Sequence, residues 1–213
     1  MLLSLDDPCW FYMEIPKTGT SAIYHALQHS RKNRSAECYP RHWPLLPPED
    51  FMLRNPKGFV SVRDPYTRAV SCWLWCYAQT KYPLTSNQAK LGFEGWLQKA
   101  VDCYEDLGFY WPQHAASTVC LPQSYWLKLH EWDFVLKKET LQADFSNALK
   151  SFGALDLKLK VKNANTDVNK PAKKLTQLKW QAHYTSKAKQ LVEKIWAEDF
   201  KALERYYDNY EIL

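Results

Sequence analysis

No run in this 213-residue chain stays apolar over the ~20 residues that a membrane-crossing helix needs. The first ten residues, MLLSLDDPCW, are too short for a secretory leader and already hold two aspartates. A soluble, cytoplasmic protein with no membrane partner is the expectation. The six cysteines (Cys9, Cys38, Cys72, Cys76, Cys103, Cys120) include no CxxC pair, which argues against a zinc ribbon. With no export signal, the thiols are expected to be reduced. Cys72 and Cys76 share a helix face but lack a nearby histidine, a pattern of core packing more than of metal binding. Internal repeats, low-complexity tracts and long linkers are absent too, so one domain over 1–213 is expected.

What is present is ordinary globular composition, 46% apolar and 24% charged, in a chain long enough for a well-buried core. Lysines and arginines outnumber acidic residues 28 to 23, a formal charge of +5. That is short of a dedicated nucleic-acid binder but suits a site for a small polyanion.

Strand and helix signals alternate along the chain. The aromatic run Cys9 to Ile15 reads as a buried strand, and Ala22, Ile23, Ala26 and Leu27 then recur at helical spacing. A second short strand fits Ala36 to Tyr39. GFVSV (58–62) is a clear strand, and Asp64 and Pro65 then supply a cap and a first helical residue. From Tyr66 to Tyr77 the apolar positions trace one helix face. FEGWLQKAVDCY and ETLQADFSNALKSF read as helices, WDFVL and the alternating LDLKLKVK (155–162) as strands, and Thr185 to about Tyr207 as a terminal helix. This order predicts an α/β fold with a central, mainly parallel sheet flanked by helices.

The chemistry concentrates in two stretches. IPKTGTS follows the first strand and opens a helix, where unpaired N–H groups and the helix dipole favour an anion. Lys17 adds a positive charge, and Thr18, Thr20 and Ser21 add hydroxyls. It is not a Walker A loop, because Lys17 precedes the loop's only glycine, Gly19. The bland alternative is a turn that small residues permit, with Lys17 in solvent. The second stretch, VRDPYTRAVS, puts Arg63 at a strand end and Ser71 about two turns into the next helix at ~3.6 residues per turn. A guanidinium and a hydroxyl so spaced can converge on one phosphate. Equally, Arg63 can pair with a structural carboxylate and Ser71 be a tolerated helix residue.

Together, IPKTGTS and VRDPYTRAVS resemble the paired signatures of the sulfotransferases that use 3′-phosphoadenosine 5′-phosphosulfate (PAPS). The likeness is to the carbohydrate branch that includes heparan sulfate 2-O- and chondroitin 4-O-sulfotransferases. EWDFVLKKETLQADFSNAL resembles that family's late strand–helix segment, HYTSKAKQLVEKIWAEDFKAL its terminal helix, and NANT (163–166) a loop near the nucleotide. The resemblance implies a P-loop-like three-layer fold and sulfuryl transfer from PAPS, leaving the bisphosphate PAP, with no metal. It implies that Lys17, Thr18, Gly19, Thr20 and Ser21 hold the 5′-phosphosulfate, and that Arg63 and Ser71 hold the 3′-phosphate. The lysine is also expected to neutralise the leaving group. A histidine at a strand end ahead of the arginine motif serves as base in such proteins, and His42 matches that position. Glu37 is the alternative, since other branches use a glutamate after the lysine loop. His25 and His29 lie on the first helix, His114 is placed to line an acceptor cleft, and His130 and His183 read as structural.

The acceptor implied is a hydroxyl, most naturally of a glycan. Trp43, Trp111 and Trp126, at loops or element ends, are the candidates for stacking on a sugar. The lysines at 158, 160, 162, 170, 173 and 174 read as a solvated face before a polyanion track. Relatives anchored in the Golgi make the Golgi lumen the alternative location, if an upstream anchor has been trimmed. Two other readings remain open at this level. One is a P-loop kinase of a small metabolite, and the other a non-catalytic nucleotide- or glycan-binding module with the same fold.

Overall fold

A computed structural model describes residues 1–4, 9–29, 42, 44–78, 87–107, 117–153, 158–159, 175 and 177–207. In chain order its main elements are β1 (Leu2–Ser4), β2 (Trp10–Met13), α1 (Thr20–His29), β3 (Lys57–Val62), α2 (Pro65–Ala78), α3 (Gly92–Leu107), β4 (Phe134–Lys137), α4 (Leu141–Ser151), α5 (Ser186–Ile195) and α6 (Ala197–Leu203). The strands form one sheet in the order β1-β2-β3-β4. β2, β3 and β4 run parallel, and β1 lies antiparallel on β2. The fold is therefore mixed α/β with a central, mostly parallel sheet flanked by helices, as the alternation of strand and helix signals predicts.

The chain divides into two compact units. The first takes Met1–Arg63 and Gln123–Lys162, the second Asp64–Pro122 and Asn163–Leu213.

The first unit holds the whole sheet. Register pairs Tyr12 with Phe59 and Phe59 with Phe134, so these rings share one face, and Leu136, two residues on, falls on it too. Against that face pack Ile23, Tyr24 and Leu27 of α1 and Phe145, Ala148 and Leu149 of α4. Tyr12 and Phe59 stack at 5.0 Å between ring centroids. The opposite face carries Phe11, which packs on Phe51, His130 and Trp132. Of the expected strand 155–162, only 158 and 159 lie among the described residues: Leu159 joins the first core and its N–H donates to Gln142 Oε1 (2.8 Å). The expected strand at 36–39 falls outside the described residues.

The second unit is helical. α2 begins as read, with Asp64 Oδ1 accepting from the Thr67 N–H at 2.8 Å and Pro65 as first residue. Its apolar face joins Phe93, Trp96 and Leu97 of α3 and Leu191, Val192 and Ile195 of α5 in a second core. Arg68 is buried there, donating to the carbonyls of Val119 and Leu121 and pairing with buried Asp199 at 3.7 Å. Cys72, Cys76 and Cys120 are free thiols in the same core. The terminal helix read as continuous is broken at Trp196, whose backbone leaves helical geometry (φ −114°, ψ 31°). The break coincides with burial of its indole, which donates to the Cys120 carbonyl at 3.0 Å. Among the described residues, no helix is long and apolar enough to cross a membrane.

Candidate anion site at the ends of three parallel strands

In a parallel sheet, ligands gather beyond the C-terminal strand ends. Here β2 leads to Lys17, β3 directly to Arg63, and β4 directly to Lys138. All three belong to the first unit.

The loop after β2 has an unusual backbone. Lys17 sits at φ 69° and Gly19 at φ 95°, both in the left-handed region. A non-glycine residue there costs on the order of 1–3 kcal/mol and persists only when its surroundings enforce it. The enforcement is visible beneath the loop. The Thr18 hydroxyl donates to the Ile15 carbonyl (2.8 Å) and lies 2.7 Å from Ser61 Oγ, which lies 2.7 Å from Tyr12 OH. Each hydroxyl has one proton, and a carbonyl can only accept. Thr18 therefore spends its proton on Ile15, Ser61 donates to Thr18, and Tyr12 donates to Ser61. All three residues are fully buried, so this directed chain bolts the loop to β2 and β3.

Gly19 cannot carry a side chain. A Cβ there would lie 2.7 Å from Leu141 Cδ2 and 2.8 Å from Lys138 Cδ. α1 starts immediately after, at Thr20, and the Ala22 N–H bonds back to the Gly19 carbonyl at 3.0 Å. The first-turn N–H groups have no earlier carbonyl of the helix to bind. Thr20 is buried, whereas Ser21 is exposed.

Arg63 is held by a buried glutamine. Gln123 accepts from the Arg63 N–H (2.9 Å) and donates to its carbonyl (2.8 Å), fixing the peptide on both sides. The guanidinium then reaches the loop, with Nη1 donating to the Lys17 carbonyl at 3.4 Å. His42 is also placed here. Its Nδ1 lies 3.4 Å from the Glu14 carbonyl, three residues before Lys17, and its own φ is 69°. Since a carbonyl only accepts, Nδ1 is the donor in this contact.

The structure thus brings Lys17, Thr18, Gly19, Arg63 and His42 together. Ser71 lies on α2, in the second unit, and is half-buried. Glu37, Trp43, Trp111 and His114 lie outside the described residues. Trp126 is fully buried, so its indole belongs to the interior and not to a sugar-stacking surface. The one-turn helix 124–127 turns it inward, which position near an element end did not reveal. His130 packs between Phe11 and Trp132, and His183 against Trp73, as expected of structural histidines.

Gln123 and Lys138 are the site residues that sequence reasoning missed. For Lys138 a signal existed, a lysine directly after a parallel strand. Burial, and then the Arg63 charge, hold its amine below the ordinary lysine value, with Glu139 opposing. Gln123 announces nothing in sequence, because its role is set by a peptide sixty residues away.

A mostly parallel α/β sheet with a basic, backbone-strained loop at its strand ends is a setting suited to an anionic group. The chain belongs to the sulfotransferase family, whose sequence model matches residues 2–208. Comparison with curated proteins and with solved structures gives no match. Family membership makes the chain a transferase of sulfuryl groups with a P-loop-like fold, acting between a nucleotide donor and an acceptor.

Proposed function

We propose that the protein transfers the sulfuryl group of PAPS to a hydroxyl of a carbohydrate, with His42 as general base. The observation that carries this reading is the convergence of the Lys17 loop, the Arg63 guanidinium and the His42 ring at adjacent strand ends. The family match spans nearly the whole chain and both compact units, which supports a single sulfotransferase domain over 1–213.

In this reading the loop 17–21 receives the 5′-phosphosulfate. Lys17 supplies charge, and the start of α1 supplies N–H donors. Thr18 acts through its backbone and the loop's shape, because its hydroxyl proton is committed to Ile15. Arg63 holds the 3′-phosphate; Ser71, expected there from the sequence resemblance, belongs to the second unit. The acceptor oxygen attacks sulfur in line, and the bond from sulfur to the phosphate oxygen breaks. The acceptor proton passes to His42 Nε2, and Lys17 neutralises the departing phosphate. Positioning and electrostatics do most of the work, as in phosphoryl transfer. Glu37 is the alternative base. The carbohydrate acceptor rests on the likeness of IPKTGTS and VRDPYTRAVS to the glycan-modifying branch.

Thermal unfolding tests the donor site. Adenosine 3′,5′-bisphosphate at a hundred times its Kd stabilises by ~2.7 kcal/mol. For a chain of this size that raises the midpoint by roughly 5–10 °C. ATP with magnesium is expected to shift it little. The reverse order would make the protein a kinase, and no shift with either would remove the nucleotide site.

A further inference from the structure

We propose that Lys138 is a third cation of the same site, binding a phosphate group of the nucleotide together with Lys17 and Arg63. This deepens the reading above and rests on it.

Three observations place Lys138 there. Val62 pairs with Lys137 in the β3–β4 register, so the next residue of each strand, Arg63 and Lys138, leaves the sheet at the same level. The Lys138 stem lies across the anion loop, with Cδ so close to Gly19 that a Cβ there would meet it at 2.8 Å. Finally, the described residues give the ammonium no hydrogen bond or ion pair, although it is half-buried beside the Arg63 charge. Carboxylates on the same stretch of chain make no ion pair with it. Glu139 ranks last among the charges acting on it, and Asp144 Oδ2 accepts from the Lys137 N–H (2.8 Å) and the Thr140 hydroxyl (2.7 Å). Partly buried charges are normally paired. The Lys138 ammonium is therefore a half-buried positive charge that a phosphate at the strand ends would compensate. A bound anion also offsets the guanidinium's repulsion and so favours the protonated amine. The competing account is that the stem merely covers Gly19 while the ammonium faces water.

Titration of wild type, Lys138→Met and Lys138→Arg with adenosine 3′,5′-bisphosphate separates the two accounts. Methionine keeps an apolar stem on Gly19 and removes the charge. The expected result is a loss of about tenfold or more in affinity for Lys138→Met. Lys138→Arg is expected to stay within a few-fold of wild type, and the thermal midpoints without ligand to stay close together. Wild-type affinity is also expected to fall as pH rises toward the ordinary lysine value of about 10.5, and Lys138→Arg to flatten that fall. Equal affinity in wild type and Lys138→Met overturns this inference alone. Should Lys138→Met fail to fold, the pH profile decides: identical curves for wild type and Lys138→Arg overturn it. No binding by wild type overturns the nucleotide reading and this inference with it.

Discussion

His42 sits in backbone geometry that favours glycine, yet carries an imidazole whose Nδ1 is tied to the Glu14 carbonyl. That combination fixes where the ring stands and makes Nδ1 the donor to Glu14. Replacing it with alanine should leave bisphosphate affinity near wild type and cut turnover of PAPS, with desulfated heparan or chondroitin as acceptor, by 10²–10⁴-fold. Full turnover in His42→Ala would take the histidine out of the mechanism. At this scale the sequence was informative wherever a residue type announces its chemistry. Lys17, Arg63 and His42 could be singled out from residue type alone, and the structure sets Lys17 and Arg63 just beyond β2 and β3 and the His42 ring beside Glu14. Ser61 was only a letter in a β-strand. Its part as the middle of the Tyr12–Ser61–Thr18 chain depends on which face of the sheet it occupies, and on a loop forty-three residues earlier in sequence.

The loop–helix junction is the element on which the site depends, and Gly19 is its pivot. With φ at 95° and no room beside Leu141 and Lys138, an added methyl meets strain from its own backbone and from α4's first residue. Gly19→Ala should therefore lower stability by roughly 1–3 kcal/mol, read as a chemical-denaturation midpoint, and abolish the thermal shift given by bisphosphate. Elements with strong local signals were read well. β3 and the Asp64–Pro65 start of α2 lie within a residue of their expected bounds. β1 was missed because three residues carry no periodicity, and antiparallel pairing with β2 defines it. The terminal helix was read as one, since Leu191, Ile195 and Phe200 suggest one core face running past Trp196. Only tertiary packing shows why the backbone turns there.

Each compact unit has its own aromatic core, and the second has an acid-sensitive point. His183 packs edge-on against Trp73, and burial holds its pKa below the ordinary 6.5, partly offset by a hydrogen bond with the Leu175 backbone. The unfolded chain then takes up a proton more readily than the folded one in that window. Stability should be complete above about pH 6.5 and fall as pH drops through the folded-state value. Urea midpoints at about pH 8 and about pH 5 measure the fall, and His183→Gln should make it shallower. A His183→Gln variant with the same pH dependence as wild type would assign acid sensitivity elsewhere. At this scale the α/β class and sheet parallelism were legible from the order of signals. The division into two units was not, because nothing in the sequence around residues 63/64 or 122/123 marks a crossing.

The hydroxyl chain beneath the lysine loop has an electrical consequence as well as a mechanical one. Its three O–H bonds all point the same way, from Tyr12 through Ser61 and Thr18 to the Ile15 carbonyl, whose own dipole continues in that direction. Aligned head to tail in a dry interior, such dipoles reinforce one another. Their positive end falls at the Ile15 peptide, two residues before Lys17. In the proposed reading this uncharged chain biases the root of the loop toward negative charge, in addition to what Lys17 and Arg63 supply.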